Sequence, residues 1–85
     1  MSDFNALARG ADVPIRDQIA ELVEEQEWRR GRYRDLVRSG RMRQENATMR
    51  LARIGAAIET LRQVQRTIET LRQVQRIAGD APRAR

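Results

Sequence analysis

Five apolar residues in the second half of the chain, Ala47, Leu51, Ile54, Ile58 and Leu61, recur at intervals of 4, 3, 4 and 3. That spacing holds one stripe of an α-helix against a partner helix. A strand cannot use it, because the faces of a strand alternate every second residue. An earlier stretch has the same character: Ile15, Ile19, Leu22, Val23, Tyr33, Leu36 and Val37 share one face at ~100° per residue. Gln26 lies in that stripe, where a polar group can fix register at some cost in stability. Gly40 stands between the two stretches and suits the left-handed residue that ends a helix. The pattern predicts an all-α fold, an antiparallel helical hairpin with coiled-coil-like packing. Helix one is expected over about 14–39, the turn over 40–42, and an extended second helix over about 43–78. Asp12-Val13-Pro14 reads as the start signal, with Pro14 at the first helical position and Asp17 in the first turn. Residues 1–13 read as a flexible or loosely helical lead carrying Phe4 and Leu7, and residues 79–85, with Gly79 and Pro82, as a disordered tail.

The most specific feature is a repeat. The nine residues Ile58 to Arg66 recur letter for letter as Ile68 to Arg76, ten positions later. This is a tandem duplication, either natural slippage or a product of cloning. Ten residues turn a helix about 80° short of three full turns. Leu61, Val64, Ile68, Leu71, Val74 and Ala78 are therefore expected to leave the first seam and wind to another side, a local stammer in coiled-coil terms. At 1.5 Å per residue helix one spans ~39 Å and helix two ~54 Å. Without one decapeptide the two arms match.

A chain of 85 residues builds a small core, and it has no cysteine for a disulfide. Association between chains is the expected source of further burial, so the hairpin is expected to be oligomeric, in an even-numbered assembly. Trp28, Tyr33, Leu51, Ile54, Ile58, Leu61, Val64, Ile68, Leu71 and Val74 are the candidate interface residues. Trp28 projects roughly opposite the apolar stripe, which suits a subunit contact or a cation–π pair with Arg32. No stretch is long and apolar enough to cross a bilayer, and Met1 to Gly10 lacks the apolar core of a signal peptide, so a cytoplasmic protein without membrane contact is expected.

Histidine, cysteine and lysine are all absent. Ser2 lies in the lead and Ser39 at a helix end with no base in view, so a non-enzyme without metal or cofactor is expected. All seventeen basic residues are arginine, which follows either from GC-rich coding or from function. Residues 1–28 carry −5 and residues 29–85 carry +10. Arg34, Arg38, Arg41 and Arg43 crowd around the turn as the candidate ligand-binding residues. Cations at the start of helix two oppose its dipole, and free N–H groups there can seat an anion.

Glu21-Leu22, Glu25, Arg29-Arg30, Tyr33, Leu36-Val37 and Gly40, followed by Ala47, Ile54, Ala57, Ile58 and Leu61, resemble short phage and prophage helical-hairpin proteins of unassigned function. The resemblance covers about residues 19–61. Arg34 stands where that pattern has Pro, and Arg43 where it often has Ser or Thr. It implies a bacterial host and a phage context rather than a mechanism. Two functional expectations follow. One is an oligomer of hairpins whose arginine elbow holds a phosphate-bearing ligand, a nucleotide signal or nucleic acid, in a role countering host defence. The other is a structural or adaptor coiled coil without a ligand, assembled through the duplicated helix.

Overall fold

The computed structural model describes Gly10 and residues 12–80. Two helices make up the described chain: α1 (Ile15–Arg38) and α2 (Gln44–Asp80). They run antiparallel, so that Ile15 lies beside Gln65 and Ile68 while Tyr33 lies beside Ala47 and Leu51. The rest of the lead and residues 81–85 of the tail lie outside the described residues.

The start of α1 follows from Gly10 and Pro14. Gly10 has φ +72°, and its carbonyl accepts the Val13 N–H at 3.2 Å, closing a turn. Pro14 is the N-cap rather than the first helical residue, and its carbonyl accepts the Asp17 and Gln18 N–H groups at 3.0 and 3.2 Å. Proline has no side-chain acceptor, so stabilisation at this end falls to Asp17 in the first turn and to Gln18, which donates to the Val13 carbonyl at 3.0 Å.

The end of α1 is a Schellman motif. Gly40 takes φ +78°, its N–H reaches the Val37 carbonyl at 3.1 Å, and the Arg41 N–H reaches the Leu36 carbonyl at 2.8 Å. This pair of bonds reverses the chain in a few residues and fixes the antiparallel geometry. Gly79, expected to belong to the disordered tail, lies inside the second helix. Its φ is not positive, and glycine terminates a helix only when it adopts the left-handed conformation that Gly40 shows.

Among the described residues four side chains are buried: Ile19 and Tyr33 from α1, Ala47 and Ile58 from α2, at 4 to 9% exposure. Ile15, Leu22, Leu36, Val37, Leu51, Ile54, Leu61 and Ile68 are half-buried around them. Two helices side by side cover each other along one stripe only, so most of each cylinder stays in water. Gln26 sits within the contact. It donates to the Leu51 carbonyl at 3.2 Å, and a Cβ at Gly55 would lie 3.2 Å from its Nε2. Gly55 therefore makes the room in which a polar side chain crosses to the other helix.

Exposure rises along α2. Ile58 is 4% exposed, Val64 43%, Leu71 56% and Val74 55%. In the second decapeptide Ile68 still lies beside Ile15, whereas Leu71 and Val74 lie past the start of α1 and on a face turned from its line.

Candidate functional site

The elbow arginines come from three local settings. Arg34 and Arg38 project from the last turns of α1, where the helix dipole favours a cation. Arg41 follows Gly40 and is held through its backbone by the Schellman bonds. Arg43 stands at the N-cap of α2, its carbonyl accepting the Ala47 N–H at 3.1 Å. A guanidinium has no acceptor, so Arg43 cannot satisfy the free N–H groups of that end, and its charge adds to the positive pole of the dipole.

These four side chains do not converge. Arg34 and Arg38, with Arg30, line one hollow of about 430 Å³ between the helices, floored by Tyr33, Val37, Ala47 and Leu51 and bordered by Gln44. Arg41 and Arg43 line another of about 430 Å³ with Asn46 and Arg50. Arg30, Arg34 and Arg38 form a ladder at four-residue spacing along one edge of α1. That spacing was the signal by which Arg30 could have been recognised beforehand, since residues four apart are neighbours on a helix. Arg50 carried a signal of the same kind, because Arg43, Asn46 and Arg50 stand at i, i+3 and i+7 on one face of α2.

Ion pairing separates the arginines. Arg29 donates to Glu25 at 2.7 Å, and this hydrogen bond raises the guanidinium above its usual range, against the opposing effect of partial burial. Arg30 reaches Glu27 at 3.5 Å, Arg66 reaches Glu59 at 3.3 Å, and Arg72 reaches Glu69 at 3.7 Å. Among the described residues, Arg34, Arg38, Arg41 and Arg43 have no carboxylate within ion-pair distance. The acid-to-base switch within α1 is thus spent on local pairs just before the elbow, and the elbow itself is left cationic.

Trp28 is 61% exposed on the side of α1 away from α2, and the Arg32 guanidinium lies 5.7 Å from its ring centroid. Tyr33 is buried against α2. The two rings lie on opposite sides of α1 and cannot stack on one ligand within a single chain. Of the candidate interface residues, Tyr33 and Ile58 are buried within the hairpin, Leu51, Ile54, Leu61 and Ile68 are half-buried there, and Trp28, Val64, Leu71 and Val74 remain exposed.

Among the described residues no cluster of His, Cys, Asp or Glu could hold a metal ion, and no helix is long and apolar enough to cross a membrane. No family model matches the chain, and comparison with curated proteins and solved structures finds no significant match.

Proposed function

We propose that the chain is a non-enzymatic binding protein, an oligomer of helical hairpins whose arginine elbow holds a phosphate-bearing ligand. The observation that carries this reading is that Arg34 and Arg38, beside a groove with an aromatic and apolar floor, have no ion-pair partner among the described residues. Two guanidinium forks one helical turn apart can grip a phosphate together, and Arg30 extends the ladder for a second phosphate along the same edge. Arg41 and Arg43 form a separate cationic patch rather than a wall of that groove. The resemblance to phage proteins gives the reading its setting, a nucleotide signal withheld from host defence in the bacterial cytoplasm.

Thermal melts test it, with pyrophosphate, mononucleotides, dinucleotides and duplex DNA as probes. Binding to the folded state raises the melting temperature as ligand concentration passes Kd. A nucleotide pocket saturates with small ligands, whereas nucleic-acid binding favours long duplex and weakens steeply with salt. The Arg34→Gln/Arg38→Gln variant should lose the shift. A parent protein that none of these probes stabilises would refute the ligand reading.

A second reading, the ligand-free scaffold or adaptor, is favoured by the small core and by Leu71 and Val74 lying exposed on the duplicated helix. It predicts assembly with no response to phosphate.

A further inference from the structure

The side of α2 turned away from α1 carries a second seam. Thr60, Val64, Thr67, Leu71, Val74 and Ala78 follow intervals of 4, 3, 4, 3 and 4, the spacing of a coiled-coil contact. All six are exposed. At 100° per residue this line lies roughly 130° around the helix from the stripe that packs on α1. Three of the large hydrophobic side chains left exposed in the described residues, Val64, Leu71 and Val74, belong to it. The decapeptide repeat built it. Leu61 packs toward α1, and its copy Leu71, turned by about 80°, falls on the outer line instead.

Charge is excluded from this face. Glu59, Arg62, Arg66, Glu69, Arg72 and Arg76 all lie more than about 100° from its centre at helical spacing. Thr67 suits an apolar contact as well, because its hydroxyl donates to the Gln63 carbonyl at 3.1 Å. Its polar group is satisfied within its own helix and needs no partner across an interface.

We propose that this outer seam is a self-association surface, on which the same stretch of a second copy packs antiparallel about a two-fold axis near Glu69. The proposal rests on the assembly half of the function above and not on its ligand half. The spacing selects a second copy, because 4-3-4-3-4 reads the same in both directions. A two-fold through its middle sets Val64 opposite the second copy's Val74, Thr67 opposite its Leu71, and Thr60 opposite its Ala78. Each layer then combines two mid-sized side chains or a large one with a smaller one, as an isologous contact requires.

Charge sets the direction. Residues 29–53 carry nine arginines against two acids, a patch of +7 at the elbow end of the hairpin. Parallel pairing would bring two such patches side by side. Antiparallel pairing sends them to opposite ends of the assembly, far beyond the screening length.

Disulfide trapping in the full chain tests this, because the protein has no cysteine of its own. Val64→Cys and Val74→Cys proteins are mixed under a glutathione redox buffer, and the uncrosslinked mass is measured in parallel by sedimentation equilibrium. The expected covalent product is the mixed 64–74 dimer, with loss of both homodimers, since like positions sit ~15 Å apart along the axis and a disulfide needs Cα atoms within about 7 Å. Homodimers formed by each variant alone would mean parallel pairing and would overturn the proposal. An oligomeric mass without any of these disulfides would place the contact elsewhere, overturning the seam while leaving the assembly reading standing. A monomeric mass at the highest concentrations would overturn both.

Discussion

Arg43→Ser should make the protein more stable. Arg43 is the N-cap of α2, and its own carbonyl starts the ladder at Ala47, 3.1 Å away. The N–H groups of Gln44, Glu45 and Asn46 have no partner within the helix, and a guanidinium cannot accept from any of them. A serine Oγ at this position accepts from Glu45 or Asn46, and replacing a non-capping residue by Ser is worth about 1 kcal/mol. Removing a cation from the positive end of the dipole adds ~0.3–1 kcal/mol. Together these come to roughly 1–2 kcal/mol, a rise on the order of 5–10 °C in Tm for a domain of this size. The control is Arg38→Gln. Arg38 lies in the last turn of α1, where the dipole favours it, so the same loss of charge should lower stability by ~0.3–1 kcal/mol. Far-UV circular dichroism melts at low salt measure both, at matched chain concentration so that any association affects them equally. An Arg43→Ser protein that melts at or below the parent would refute the reasoning. It would mean that the Arg43 side chain is engaged in a stabilising contact and that its position at the N-cap is not a cost.

Two other substitutions and a deletion probe the hairpin. Ile58→Asp puts a carboxylate at a site 4% exposed in a core of four residues and should cost several kcal/mol, close to the stability of a small domain; retention of the helical signal at 25 °C would show the seam is misassigned. Gly40→Ala forces a Cβ into φ +78° and should cost about 1–2 kcal/mol, read as a lower urea midpoint at unchanged m-value; an unchanged midpoint would contradict the Schellman geometry. Deleting Thr67 to Arg76 brings α2, at 37 residues, near the 24 of α1 and should leave a helical hairpin that assembles poorly; a chain that stays unfolded at high concentration would make the decapeptide part of the core.

The all-helical hairpin was legible because its determinants are local. The apolar spacing, Gly40 and the short turn each act within a few residues, and so did Gln26, whose polarity inside an apolar stripe marked it as a register element. Two termini were misread for the same reason. Pro14 suits either of two adjacent positions at a helix start, and Gly79 ends a helix only if it turns left-handed, which sequence does not decide. The elbow was half legible. Four arginines near a turn are visible in the chain, but their division between two hollows depends on the azimuth at which α1 stops and α2 begins. Arg30 joins Arg34 and Arg38, and Arg50 joins Arg43, through helical spacing that is already present in the sequence.

The crossing of Gln26 beside Gly55 bears on how the chain avoids a wrong structure. Two identical nonapeptides ten residues apart offer a docking helix two nearly equivalent tracks, and in a dense mixture of chains a slip of ten residues is the natural error. The slipped alignment keeps leucine opposite the amide, because Leu61 stands ten residues after Leu51. It also replaces Gly55 by Gln65. A Cβ at Gly55 already lies 3.2 Å from the Gln26 amide, so a whole glutamine in that place blocks the crossing and strands a polar group in the contact. One missing side chain thus serves as the address that tells the first helix which track to take, and Gly55→Ala should let mispaired chains accumulate on refolding.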